Sequence, residues 1–242
     1  LGDVYKRQHK GHGHEAGNFS FKAGDQLWGT FECRTVDQLI VFGTNGRVYS
    51  VPVAALPGGR GDGQPINTLI DLEAGSKIAS YFAGPVSAQL LISGSGGYGF
   101  IAKVESMCAR NKAGKGFVTI QDGETLCQPS VIGGTNGSVE LTDATHVACL
   151  TASGNVLTYA LSELKLMTGG RGLQLMKVED SDALVGAAAY TRSVRITGVG
   201  RGGKEREESL EIRSLNAALG KRGAKGKTTG WTFKPTGIFR AE

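Results

Sequence analysis

Residues 38–66, "QLIVFGTNGRVYSVPVAALPGGRGDGQPI", hold the pattern from which the rest of the chain can be read. The segments "QLIVF" and "RVYSV" are rich in the β-branched and aromatic residues that fit a pleated surface. Between them "TNGR", residues 44–47, predicts a tight hairpin, because Asn45 and Gly46 can both take positive φ, as a two-residue type I′ turn requires. A short connector then leads into "LPGGRGDGQP", residues 56–65, where four glycines surround Arg60. Two further strands are expected before the pattern restarts.

The pattern does restart. "QLLISGSGGYGFIAKVESMCARNKAGKGFVTI" from Gln89 and "HVACLTASGNVLTYALSELKLMTGGRGLQLMKV" from His146 follow the same plan. The turn glycines Gly46, Gly97 and Gly154 are 51 and 57 residues apart, a period that implies blades or an array. A fourth unit begins at "SVRITGVGRGGKEREESLEIRSLNAALGKRGAKGKTTGWTF", and "HKGHGHEAGNFSFKAGDQLWGTFEC" reads as the second half of an incomplete first one. The expected units are therefore 9–36, 37–86, 87–143, 144–190 and 191–242. Four strands per unit point to an all-β, propeller-like ring of about five four-stranded blades, since closure leaves few exposed sheet edges.

Composition agrees with many short elements joined by tight turns. Glycine is abundant, at 38 residues, and proline scarce, at 6. No apolar run is long enough for a membrane span and no signal peptide opens the chain, so a cytoplasmic location is expected. The first methionine is Met107, which suggests a piece of a longer protein. Cys33, Cys108, Cys127 and Cys149 lack any C-x-x-C spacing and are read as reduced thiols. His9, His12 and His14 could hold a metal only if the chain curled round it; a solvated loop is the preferred reading.

Charge is unevenly distributed. Residues 191–242 carry a net charge of +7, whereas residues 1–190 carry −2. A local basic field of this kind fits a polyanion, and nucleic acid is the commonest one. The glycine-basic element recurs at one phase of every full unit: "GGRGDG" at 58, "RNKAGKG" at 110, "GGRG" at 169 and "GKRGAKGK" at 220. A glycine-rich turn can present backbone N–H groups, and its Arg or Lys adds charge, so the element suits a phosphate. The candidate DNA-binding cations are Arg60, Arg110, Lys112, Lys115, Arg171, Lys221, Arg222, Lys225 and Lys227. The candidate phosphate-facing turns are at Gly59, Gly61, Gly114, Gly116, Gly170, Gly172, Gly223 and Gly226.

These segments resemble the C-terminal domains of the A subunits of bacterial type II topoisomerases, the gyrase A and topoisomerase IV (ParC) family. The resemblance runs through "KGHGHEAGNFSFKAGD", "GRVYSVPVAALPGGRGDGQPI", "GGYGFIAKVESMCARNKAGKGFVTI" and "LTASGNVLTYALSELKLMTGGRG", and covers residues 9 to 240. It implies a β-pinwheel whose blades exchange strands with their neighbours and whose outer rim binds double-stranded DNA. The gyrase signature Q-R-R-G-G-K-G is not intact; "GKRGAKG", residues 220–226, lacks the leading Gln, which favours topoisomerase IV. For the whole enzyme the resemblance implies ATP and Mg2+, a cleavage domain on the N-terminal side of this one, and the ParE protein as partner in a heterotetramer. Residues 1–8, "LGDVYKRQ", fall outside it and are read as unmatched.

No catalytic constellation emerges. "GSGGYG" at 94–99 fits G-x-G-x-x-G but is followed by strand-like "FIAKV", and "GKT" at 226–228 lacks the first glycine of a Walker A motif, because Lys221 stands there. Tyr49, Tyr81, Tyr98, Tyr159 and Tyr190 lie in or beside expected strands, and His146 sits in apolar "HVACL" without triad partners. No strand cleavage is expected of this chain by itself. The rival readings are a divergent gyrase A wrapping domain and a non-enzymatic protein-interaction propeller.

Overall fold

The computed structural model describes residues 5–6, 29–30, 32–58, 63–136, 139–141 and 144–241. In chain order, β1 (Tyr5–Lys6) precedes a unit comprising β2 (Gln38–Gly43), β3 (Arg47–Pro52), β4 (Gln64–Pro65) and β5 (Ile78–Gly84). The next holds β6 (Gln89–Ser93), β7 (Tyr98–Lys103), β8 (Lys115–Gly116), β9 (Ser130–Asn136) and β10 (Val139–Leu141). A third holds β11 (His146–Thr151), β12 (Asn155–Ala160), β13 (Leu173–Gln174) and β14 (Leu184–Tyr190). The fourth holds β15 (Ser193–Val199), β16 (Glu205–Glu211), α1 (Ile212–Ala217), β17 (Lys227–Thr228) and β18 (Lys234–Arg240). The protein is all-β, as the repeat pattern requires, and α1 is the one α-helix among the described residues.

The sheets cross the unit boundaries. Their strand orders are β5-β2-β3-β8, β10-β9-β6-β7-β13, β14-β11-β12-β17 and β16-β15-β18, with β1 and β4 forming a separate pair. Each unit's short strand therefore leaves its own blade and pairs with the second hairpin strand of the preceding one. Lys115 lies opposite Val48, Leu173 opposite Gly99, and Lys227 opposite Val156. At the other edge of each sheet, β5, β9, β14 and β18 pair with the first hairpin strand or, in the last blade, with β15. A cavity of about 390 Å3 is lined by Ala79, Cys127, Leu184 and Ile238, so all four blades converge there on a common axis. The donated strands consequently lie on the perimeter.

Packing between blades explains why the hairpin strands read as nearly continuous apolar runs. Along β2, Ile40 and Phe42 pack with Leu90, Ile92 and Phe100 of the next blade, while Leu39 and Val41 pack with Val51 and Ile66 on the opposite face. Along β11, Val147 and Cys149 join Leu91 and Leu175, whereas Ala148 and Leu150 join Val194 and Ile196. A blade stacked between two others buries both faces, so side chains of either parity must be apolar. In β15 only Val194, Ile196 and Gly198 are buried, and Arg195 and Val199 are exposed.

Two local expectations are revised. The hairpin at residues 44–47 is not type I′, because no non-glycine residue has positive φ and Asn45 therefore does not. Instead the Gly46 N–H donates to the Gly43 carbonyl at 3.0 Å and Gly46 alone is left-handed, at φ 78°. This is a three-residue loop, in which the turn ends on one αL glycine. Gly97 and Gly154 repeat it, with φ 84° and 85°. The acidic segment Glu205, Glu207, Glu208 and Glu211 belongs to β16, an exposed strand at the sheet edge. Charge along an open edge opposes pairing with another chain.

Candidate nucleic-acid interface

The recurrent glycines have a structural cause. The residue immediately before each donated strand is a left-handed glycine: Gly63 (φ 82°), Gly114 (60°), Gly172 (86°) and Gly226 (79°). A Cβ on Gly114 would collide with the Val48 carbonyl oxygen, one on Gly172 with that of Gly99, and one on Gly226 would stand 2.6 Å from that of Val156. The chain must turn left-handed against the backbone of the preceding blade before entering its sheet, and only glycine does both cheaply. The preceding hairpin tip then receives the donated segment, as the Gly46 carbonyl accepts from Val118 N–H at 2.8 Å and the Gly97 carbonyl from Leu175 N–H at 2.7 Å.

This corrects the phosphate-cradling role expected of several backbone amides. The N–H of Gly114 donates to the Asn111 carbonyl, that of Gly170 to the Phe117 carbonyl and that of Gly223 to the Leu175 carbonyl. Gly116 lies in the β8 pairing opposite Arg47. The glycines place the neighbouring side chains on the rim. Gly59, Arg60 and Gly61 lie outside the described residues, as do His9, His12 and His14.

The candidate cations divide into two groups. Arg110 and Lys221 are exposed and make no hydrogen bond or ion pair among the described residues. Lys112 donates to the Thr68 carbonyl at 3.0 Å and Lys227 to the Ala217 carbonyl at 2.6 Å, yet both are exposed, and an ammonium keeps further protons to donate. Lys225 is exposed, 3.5 Å from the Glu179 carboxylate. Lys115 is half-buried, and its ammonium donates to the Cys108 carbonyl at 3.0 Å.

The two remaining arginines are drawn inward. Arg171 Nη2 lies 2.7 Å from Glu124 Oε1, and its guanidinium sits 4.1 Å from the centroid of the Tyr98 ring. Arg222 Nη1 donates to the Gln174 carbonyl at 2.6 Å. Arg47, which the repeat pattern did not single out, donates through Nη2 to the Ala113 and Gly114 carbonyls at 2.9 and 3.2 Å. Positions 47, 171 and 222 occupy different phases of the repeat, so no periodic signal could have found them together.

Strand donation also moves the basic cluster. Lys221, Arg222, Lys225 and Lys227 belong to the fourth unit, but β17 pairs with β12, which carries this cluster to the outer edge of the third blade. The fourth blade instead presents the acidic strand β16, where Glu207 lies 3.9 Å from Arg195. The described part of the chain offers no group of three or more His, Cys, Asp or Glu arranged to hold a metal. The ring of His146 lies 5.7 Å from that of Tyr190, with Nδ1 2.8 Å from the Thr145 hydroxyl. All four cysteines are free thiols. No helix among the described residues is long and apolar enough to cross a membrane.

Comparison with known proteins agrees with this architecture. The family model for the DNA gyrase C-terminal domain, beta-propeller, matches residues 37–80 and 145–190. The chain is 33% identical over 223 residues to the A subunit of DNA topoisomerase 4 from Neisseria gonorrhoeae, a match that covers 90% of this chain and 28% of that protein. It is 26% identical over 225 residues to the Escherichia coli K12 protein of the same name, covering 91% of this chain and 29% of that one. The chain thus spans less than a third of these relatives' length. Among solved structures, the E. coli ParC C-terminal domain superposes with a TM-score of 0.80 at 24% identity, covering 97% of this chain and 93% of that one. A DNA gyrase A C-terminal domain superposes with a TM-score of 0.60 at 18% identity, covering 84% and 64%. With strand donation, the left-handed glycines and both sequence comparisons in agreement, this chain belongs to the family of C-terminal β-propeller domains of DNA gyrase A and topoisomerase IV ParC.

Proposed function

We propose that this chain is the DNA-binding and DNA-bending C-terminal domain of the A (ParC) subunit of bacterial topoisomerase IV. The carrying observation is the placement of the glycine-basic elements: each precedes a donated strand on a blade's outer edge, so their cations follow one perimeter. A duplex laid along that perimeter is held through its phosphates, without a recognition helix to enter a groove. The domain would capture and bend a segment beside the cleavage domain of the same polypeptide. The duplex is thereby presented for ATP-dependent strand passage in decatenation and relaxation, with ParE completing the heterotetramer. ATP and Mg2+ belong to the rest of that enzyme, and the whole acts in the bacterial cytoplasm on the chromosome. The relatives in sequence are named for topoisomerase IV, which favours this reading over a gyrase-type wrapping domain or a protein-interaction propeller.

Fluorescence anisotropy with a labelled duplex tests the proposal. With four to six phosphates neutralised, log K should fall against log salt with a slope of about −4 to −5, and unrelated duplexes should compete equally. A flat salt response, or strong preference for one sequence, would reject it.

A further inference from the structure

We infer that Arg47, Arg171 and Arg222 are positioning residues, one at each joint between consecutive units, and that they set the spacing of the rim without touching DNA. The inference rests on the DNA-binding reading above and divides its cations by task. At the first joint, Arg47 of a hairpin grips the Ala113 and Gly114 carbonyls of the next unit's glycine-basic element, and its Nε lies 3.5 Å from Glu73. At the second, Arg171 of the third unit meets Glu124 and Tyr98 of the second. At the third, Arg222 of the fourth unit donates to the Gln174 carbonyl on a strand supplied by the third.

Burial separates these groups from phosphate ligands. The Arg171 side chain is only 28% exposed and its partner Glu124 16% exposed, while the Nε atoms of Arg171 and Arg222 are buried without a hydrogen-bond partner. A guanidinium stacked on an aromatic face and paired with a carboxylate is already pre-organised, and reaching a phosphate would break both contacts. Glu124 is also fixed from its own side, because its Oε2 accepts the Gln121 N–H at 3.1 Å. The contact therefore ties a loop of one unit to the perimeter element of the next. A rim that bends a duplex needs such fixed spacing between successive phosphate-facing cations, so loss of a brace should change the bend and leave the number of phosphate contacts alone.

The test uses the 242-residue chain with Arg171→Gln, Glu124→Gln, their double variant and Lys221→Gln, followed by thermal unfolding, salt-dependent anisotropy and energy transfer between labelled DNA ends. Each brace variant should lower the unfolding temperature by about 2–4 °C, with the double variant no lower than the worse single one. Their salt slopes should equal that of the parent while end-to-end transfer falls. Lys221→Gln should make the slope about one unit shallower without moving the unfolding temperature. The inference is overturned if Arg171→Gln makes the slope one unit shallower, if Glu124→Gln tightens binding by releasing Arg171, if transfer is unchanged, or if the thermal effects simply add. A parent that fails to bind DNA would overturn the proposed function, while thermal coupling between Arg171 and Glu124 would still decide whether the brace exists.

Discussion

Burial and reactivity part company among the four thiols. Desolvation pushes Cys127 up to about 11 and Cys149 up to about 12; hydrogen bonds with Ser93 and Tyr159 offset this only in part. Cys149 is fully enclosed and Cys127 nearly so. Cys33 is exposed and Cys108 half-buried, and desolvation raises both by less. Since the thiolate is the nucleophile, iodoacetamide at about pH 8 should label native protein at Cys33 first and Cys108 more slowly, with Cys127 and Cys149 reacting only in denaturant. Peptide mass spectrometry reads the order, and native labelling of Cys149 as fast as Cys33 would contradict it. The absence of C-x-x-C spacing was enough to expect free thiols; their depth depends on which blade covers them.

At the scale of the element, two glycines of one motif have opposite sensitivities. Gly114 is left-handed and a Cβ there would strike the Val48 carbonyl, whereas Gly116 has no atom within 4 Å of its Cβ position and no positive φ. Gly114→Ala should therefore destabilise the protein by about 2 kcal/mol or more, through backbone strain and displacement of β8. Gly116→Ala should stay within about 0.5 kcal/mol of the parent. Chemical denaturation of the two variants makes the comparison, and equal losses would show that β8 is not held at the Gly114 turn. Glycine abundance at this phase of the repeat was legible from "RNKAGKG"; which glycine is obligatory was not, because the clash is with a residue 66 positions earlier.

At the scale of the whole molecule, the densest basic cluster and the densest acidic strand occupy neighbouring blades. Lys221 and Lys225 ride on the segment donated to the third blade, and β16 forms the edge of the fourth. Changing Arg222 or Lys227 would also break a bond to the Gln174 or Ala217 carbonyl, so a clean test of capture reverses Lys221 and Lys225 alone. Lys221→Glu with Lys225→Glu should make the salt slope shallower by about two units and weaken binding most at low salt. Circular dichroism should remain that of the parent. Unchanged affinity at low salt in the folded double variant would move the site of capture to another part of the perimeter.

The sequence by itself determined the number and phase of the units, the all-β class and the recurrence of a glycine-basic turn in each. All of these are local, because apolar periodicity and turn residues are written within about 50 residues of one another. Only the tertiary structure decided that the short strand after each turn joins the preceding blade, that Lys221 stays exposed while Arg222 is drawn inward, and that Arg47, Arg171 and Arg222 share one task. Those outcomes depend on which backbone lies opposite a side chain once strands are exchanged. Charge and residue type are alike for Lys221 and Arg222, but a carbonyl at 2.6 Å from Arg222 separates them, and that carbonyl comes from another unit.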